Sequence, residues 1–360
     1  MDIDPNGLLY LRALKYLVRF DPDKAVVAPD KIHLPPSAEV PFDYGEEQTV
    51  PWTRRKYRGA IKIAALPGAN GFDTGFGVDP KGGVIAFMKN YRTWEDMLWG
   101  RPKGKWVDAW GERNMKEART EGYRPRQFPG RFVGGGELVM RWNSRGQLVG
   151  EDLVPALPMP SCGIKSDRHG NIYLGIGANW VMPDGKSHCG GALAKFAPTG
   201  AKFYGAGDKV KLGAKPDRAA EFRAYGWGDL WTENMYWAYP GLDHMHFLGG
   251  GAYACLCATC RFDMDLYGRC FVPKAYQFTV GVVDANGNRI CEIGRYGNAD
   301  SGRGPRSPIR IGGDEIAVSD CAFVGVDSDR WLYLNDDGSG RIIRLKLGYH
   351  AQEIVNIPPN

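Results

Sequence analysis

Two histidines two residues apart, His244 and His246, precede a Cys-x-Cys-x-x-Cys run formed by Cys255, Cys257 and Cys260. In an extended chain alternate side chains share a face, so His244 stands with His246 and Cys255 with Cys257. Two imidazoles and two thiolates presented this way suit a soft or borderline cation. Zn2+ takes four such donors tetrahedrally, and Cu(I) accepts the sulfurs. Cys257 and Cys260 have the spacing of one zinc knuckle, but no second Cys-x-x-Cys exists to complete a zinc ribbon. Two other states are open for the eight cysteines: disulfides, for example Cys162 to Cys189 or Cys270 to Cys291, and thiols buried as small apolar residues. A c-type haem would need histidine directly after Cys260, where Arg261 stands. There is no Gly-x-Ser-x-Gly elbow, Walker loop or dinucleotide fingerprint, so no nucleotide cofactor is expected.

The elements that would position these groups are strands. Forty-nine glycines and 24 prolines punctuate short runs rich in Val, Ile, Tyr and Phe. One unit recurs five times: an Asp, a Gly three residues on, and a bulky residue six residues on. The copies are DPNGLLY from Asp4, DPKGGVI from Asp79, DRHGNIY from Asp167, DLYGRCF from Asp265 and DSDRWLY from Asp327, where Arg330 replaces the glycine. Asp bonds its own backbone and Gly accepts positive φ, which together make a tight turn between two strands. A second strand-turn-strand follows each copy, most clearly at Asn286-Gly287, a strong hairpin signal.

Such units bury their faces only by stacking on one another. Their spacing exceeds the ~40–50 residues of one propeller blade, so insertions and one degenerate blade are expected between the clear copies. The expected fold is all-β, a six-bladed β-propeller over 1–360. Clear units lie near 1–30, 76–150, 162–205, 260–297 and 321–357, with a degenerate blade within 205–255 and an insertion over 90–133. Cys162 and Cys260 each stand five residues before the repeat Asp, which adds Cys162 to the candidate metal set His244, His246, Cys255, Cys257 and Cys260.

The segments GIKSDRHGNIYLG with ALAKFAPTGAKFYG, and RFDMDLYGRCFVP with FTVGVVDANGNRICEIG, resemble NHL-type repeats. WLYLNDDGSGRIIRLKLGY resembles the closing blade of that family. The resemblance implies a six-bladed propeller over 163–357 and, more weakly, over 1–150. It implies little about function, because propellers of this kind include scaffolds, receptors, lactonases and lyases.

Two aromatic-rich stretches interrupt the pattern. The insertion carries Trp94, Trp99, Trp106 and Trp110 among arginines and lysines, with a short helix expected over 106–120. The second stretch carries Trp227, Trp231 and Trp237. As partner-binding residues these tryptophans would stack on sugars or partner side chains while arginines hold carboxylates. As structural residues they would pack on the strands beneath.

The chain has 46 basic and 41 acidic residues with no block of like charge, which gives no footprint for a nucleic acid. No apolar run reaches the ~20 residues of a bilayer span. The start falls directly on a strand, Ile3 to Tyr10, which favours a trimmed leader or upstream domain and an extracytoplasmic setting slightly over a cytoplasmic one. The expected function is a binding or scaffold module in a larger assembly, presenting its Trp/Arg-rich face to a protein, peptide or glycan. The alternative is a metal-dependent lyase or hydrolase with its site at the mouth of the central channel.

Overall fold

All five Asp-x-x-Gly segments fold into one kind of turn in the computed structural model, which describes residues 2–13, 16–20, 26–28, 31–33, 48–50, 55–57, 60–62, 75–89, 137–144, 148–150, 153–154, 160–181, 187–205, 219–224, 228–242, 260–297 and 316–348. In the third copy the Asp167 N–H donates to Asn171 O (3.2 Å), and the Gly170 N–H returns to Asp167 O (2.9 Å). Its carboxylate Oδ1 accepts the amides of His169 (2.9 Å) and Asn171 (3.0 Å). Asp4, Asp79 and Asp265 bind the amides two and four residues on in the same way. The fourth turn residue is left-handed each time: Gly7 at φ +80°, Gly82 at +77°, Gly170 at +81° and Gly268 at +79°. The Asn286-Gly287 hairpin repeats this bonding around Asp284.

Arg330 adopts the same conformation at φ +66°, where a Cβ is disfavoured. Arg330→Gly is therefore expected to stabilise the protein by about 1 kcal/mol, read as a higher thermal midpoint. A lower midpoint would show that the arginine side chain contributes more than its backbone strain costs.

Strands joined by these turns build five antiparallel sheets in chain order. Sheet 1 contains Asp2–Ile3, Leu9–Ala13, Tyr16–Phe20 and Ala60–Lys62, and sheet 2 contains Phe76–Val78, Val84–Lys89, Glu137–Trp142 and Leu148–Gly150. Sheet 4 contains Asp263–Met264, Cys270–Lys274, Thr279–Val283 and Arg289–Ile293; sheet 5 contains Cys321–Val326, Trp331–Asp336 and Arg341–Lys346. Sheet 3 is built on Pro160–Ser166, Ile172–Val181, Ser187–Phe196 and Met235–Leu242.

The two middle strands of sheet 3 are 10 residues each and overrun their neighbours. Ala219–Ala224 pairs with the overrun, followed by Gly228–Glu233 and Lys202–Gly205. The described strands of 205–255, expected to form a degenerate blade, are thus hydrogen-bonded into the third sheet. Among the described residues there is no α-helix, only two short 3-10 turns at Ala275–Gln277 and Asp337–Ser339. The expected insertion over 90–133, with its short helix, lies outside the described residues.

Each sheet packs its face on the next. Ile85 and Val139 of sheet 2 meet Ile164, Ile172 and Leu174 of sheet 3. Tyr173 and Leu193 of sheet 3 meet Cys270, Val272 and Val283 of sheet 4, and Phe271, Val280 and Val282 of sheet 4 meet Leu332 and Leu334 of sheet 5. Strand alternation explains the division, since Leu174 faces one neighbouring sheet and Tyr173 the other. Each fully buried side chain contributes about 1.5–3 kcal/mol. Antiparallel sheets of three to seven strands stacked face to face, inner strands side by side, form the kind of arrangement a β-propeller uses.

Polar side chains reinforce two of these interfaces. Arg141 of sheet 2 donates to Gly170 O (2.6 Å) and Pro198 O (3.0 Å) in the turns of sheet 3. Lys195 of sheet 3 donates to Ala285 O (2.8 Å) in the hairpin of sheet 4. Burial, followed by Cys270 and Asp167, raises the Tyr173 phenol above its ordinary pKa; it stays protonated and donates to Asp167 Oδ2 (3.1 Å).

Candidate site at the axis

The inner strand of each sheet runs into its Asp-x-x-Gly turn, so residues at one offset from the repeat Asp form a layer. Two residues before the Asp stand Asp2, Gly77, Lys165, Asp263 and Gly325. Three of these meet. Lys165 Nζ lies 3.0 Å from Asp2 Oδ2 and 2.9 Å from Asp263 Oδ1, joining sheets 1, 3 and 4 at the axis. Each carboxylate also takes an amide from the inner strand of the following sheet: Val78 N–H donates to Asp2 Oδ2 (2.9 Å) and Val326 N–H to Asp263 Oδ2 (2.8 Å).

Burial works against the charge on Lys165, but Asp2 and Asp263 outweigh it and hold its pKa above the ordinary lysine value. The three side chains remain 15–18% exposed, so solvent reaches them. The glycines in this layer are spatially required. A Cβ on Gly77 would lie 2.5 Å from Ile164 O, so a glycine lets sheets 2 and 3 approach beside the cluster.

Two residues further back lies a second layer on the same side of the strands: Gly75, Gly163, Arg261 and Phe323. Arg261 and Phe323 are joined by a parallel bridge between sheets 4 and 5. Phe323 is 43% exposed although its neighbours Cys321 and Ala322 are buried. Arg261 extends past Gly163, its Cδ 3.6 Å from where a Cβ would stand, and donates to Cys260 O (3.2 Å). The described axis thus has a floor of paired charges and a wall with a cation, an aromatic ring and two glycines.

The sulfur and histidine candidates fall elsewhere. His244, His246, Cys255 and Cys257 lie outside the described residues, as do Trp94, Trp99, Trp106, Trp110 and Trp227. The backbones of Cys162 and Trp231 lie in strands of the third sheet. Cys260 is buried with Phe262, Cys270 and Val272 between sheets 3 and 4. The reason is parity: an offset of five from the repeat Asp shares the inward face of Ile164 and Phe262, and even offsets face the axis.

Trp237 has its ring edge-on to Tyr173 (centroids 5.9 Å apart, planes at 72°) and donates from Nε1 to Ala285 O (3.1 Å). Its packing adds to the left-handed backbone of Gly287 (φ +89°) a second requirement for glycine there, since a Cβ would lie 2.8 Å from the indole.

Cys260, Cys270, Cys291 and Cys321 carry thiols rather than disulfides. The Cys270–Cys291 bridge weighed above is excluded because the strand Thr279–Val283 lies between the two. Burial, then nearby acidic groups, pushes the Cys321 thiol up to about 12 and raises Cys270 well above its ordinary value. An aromatic disulfide reagent at pH 8 is expected to modify exposed Cys291 in the native protein and to reach Cys260, Cys270 and Cys321 only after denaturant is added. Rapid native labelling of a Cys291→Ser variant at any of those three would contradict this.

Among the described residues no group of three or more His, Cys, Asp or Glu side chains is assembled for a metal. The axial carboxylates do not fit one either, because Lys165 already stands between them with its ammonium in the place a cation would take.

No family model matches the chain, and no curated protein matches it in sequence. Its fold is similar to that of a candidate gluconolactonase, at 12% identity and a TM-score of 0.38 over 96% of this chain and 72% of that one. It is also similar to virginiamycin B lyase from Staphylococcus aureus, at 10% identity and a TM-score of 0.28 over 79% and 73% of the two chains. A gluconolactonase from Xanthomonas campestris gives 11% identity and a TM-score of 0.26 over 78% and 74%. Values this low leave both the number of blades and the chemistry to this chain's own residues, and those residues form nearly all-β antiparallel sheets stacked in blade fashion.

Proposed function

We propose that the chain is an NHL-like β-propeller with six blade positions, acting as a hydrolase or lyase on a small polar substrate at the mouth of its central channel. The observation that carries this reading is the axial cluster: Asp2, Lys165 and Asp263 meet where three inner strands converge, with Arg261 and Phe323 above them. Six positions rest on the resemblance of the repeats to the NHL type, five of them being filled by the sheets of the described residues.

A polar floor that solvent touches, walled partly by glycines, suits a small molecule better than a protein surface. Arg261 would orient an anionic or carbonyl group and Phe323 an apolar edge of the substrate. A divalent cation such as Zn2+ would polarise a carbonyl in such chemistry. Its ligands would come from residues other than the axial triad, with the proposed His244, His246, Cys255 and Cys257 set as the candidate.

The second reading is a binding module presenting its tryptophan-rich insertions to a protein, peptide or glycan. It is favoured by the four tryptophans of the 90–133 insertion.

The purified chain should be assayed on a panel of small lactones and esters, as isolated, after chelation, and with Mg2+, Ca2+, Mn2+ or Zn2+ restored, alongside metal analysis. Turnover that falls in Arg261→Met and Phe323→Ala through a raised KM, with the thermal midpoint unchanged, is the expected result. Absence of turnover under every condition would overturn the enzymatic reading in favour of the binding module.

A further inference from the structure

Two contacts recur at the interfaces between consecutive sheets, each at two of them and both together between sheets 3 and 4. The first is the tyrosine six residues after the repeat Asp. Tyr10 OH donates to Asp4 Oδ2 (3.2 Å) and stands 3.4 Å from Gly82 O in the turn of sheet 2. Tyr173 OH donates to Asp167 Oδ2 (3.1 Å) and lies 3.6 Å from where a Cβ on Gly268, in the turn of sheet 4, would be. The second is a cation directly across the ladder from that position. Arg141 is opposite Ile85 and Lys195 opposite Tyr173. Both reach forward to equivalent carbonyls, Pro198 O and Ala285 O, each two residues before a left-handed turn glycine, Gly200 (φ +96°) or Gly287 (φ +89°).

Sheet 5 carries the same equipment. Tyr333 OH donates to Asp327 Oδ2 (3.0 Å), and Arg344 stands opposite Tyr333 in the ladder. The Arg344 guanidinium lies 5.8 Å from the Tyr333 ring centroid, much as Lys195 lies 5.1 Å from that of Tyr173. It also stacks 3.8 Å from the centroid of Trp331. Among the described residues no sheet packs on this face: Ile342 is 72% exposed, and Arg344 and Lys346 are exposed beside it. At the other end of the stack a Cβ on Gly7 would meet nothing within 4 Å, whereas those on Gly82 and Gly268 would meet a tyrosine of the preceding sheet.

We infer that the face formed by Trp331, Tyr333, Ile342, Arg344 and Lys346 is a docking surface for one further antiparallel sheet of the Asp-x-x-Gly type. The turn glycine of that partner sheet packs on the Tyr333 hydroxyl, and its hairpin carbonyl accepts the Arg344 guanidinium. The occupant is specified by continuity with interfaces already formed in this chain. The cation needs a main-chain carbonyl two residues before a hairpin glycine, and the tyrosine needs a turn without a Cβ. This inference stands apart from the enzymatic reading, since it uses none of the axial residues.

The test presents the full chain with a defined sheet. A second copy of residues 260–297 is joined to its C-terminus through a flexible Gly-Ser linker, and a parallel protein carries a second copy of 160–205 instead. Amide hydrogen exchange over 331–346 is expected to slow about tenfold in at least one extended protein, equivalent to ~1.4 kcal/mol of added protection. That protection should be lost in the Tyr333→Phe, Arg344→Ala double variant. The same pair in the unextended chain should lower the thermal midpoint modestly, through loss of the Tyr333-to-Asp327 hydrogen bond, so each extended protein is compared with its own unextended parent or double variant. Unchanged exchange in both extended proteins, or protection that survives the double substitution, would overturn the inference.

Discussion

Lys165→Met is expected to destabilise the protein by about 3 kcal/mol at neutral pH, because it leaves two carboxylates facing each other at the axis without their cation. This is the lower end of the range for broken ion pairs, since the three side chains keep 15–18% exposure. Adding Asp2→Asn and Asp263→Asn to Lys165→Met should recover much of the loss, because the repulsion disappears with the charges. No recovery in the triple variant would show that the lysine stem contributes by packing alone.

The pH dependence of the parent protein follows from the sign of the shift. The folded-state pKa of Lys165 is raised, so its contribution is fully present below the ~10.4 of an unfolded lysine and is lost as pH rises toward the folded value. Denaturation midpoints should therefore fall in the parent as pH rises above about 10.4 and change less in the triple variant.

Gly77→Ala is expected to cost a similar amount, about 3 kcal/mol, by a different route. Its Cβ would sit 2.5 Å from Ile164 O and 2.9 Å from Lys165 Cα, and no rotamer relieves a contact with backbone. The inner strands of sheets 2 and 3 must separate, and Lys165 moves with them. Gly325→Ala provides the comparison, because the same layer offers it a nearest neighbour 3.9 Å away, a carboxylate oxygen of Asp263. Denaturant titration of the pair should show a large loss at 77 and a small one at 325; equal losses would indicate that glycine flexibility rather than proximity matters there.

The turns were legible in the sequence because their chemistry is local. Asp4, Asp79, Asp167 and Asp265 bind amides two and four residues away, and a glycine three residues on supplies the left-handed step. The axial cluster was less visible, since Asp2 and Lys165 are 163 residues apart and neither has an unusual neighbour. A signal did exist in the repeat register: once the copies are aligned, charged residues recur at an inner-strand offset where a small or apolar residue is the ordinary choice.

Cys260 is a metal donor by residue type, but its odd offset from Asp265 turns it into the apolar interface. The described strands within 205–255, where a degenerate blade is expected, join sheet 3 for a geometric reason. Their sequence reads as a separate unit, but the two long strands of sheet 3 extend past their partners and offer a free edge on which Ala219–Ala224 pairs. Length of pairing, unlike turn chemistry, is not written in any short motif.

The interface between sheets 4 and 5 differs from its predecessors at two positions: Phe271 and Val282 occupy the places held by Tyr173 and Lys195 one sheet earlier. What joins the side chains of these two sheets is therefore mainly apolar contact, among Phe271, Val280, Val282, Leu332 and Leu334. Apolar attraction weakens on cooling, while cation-to-carbonyl bonds do not share that dependence. Cooling should therefore loosen the side-chain packing between sheets 4 and 5 before the cation-bound contacts that join sheets 2, 3 and 4, while the Val326-to-Asp263 and Arg261-to-Ala322 hydrogen bonds keep the two inner strands together.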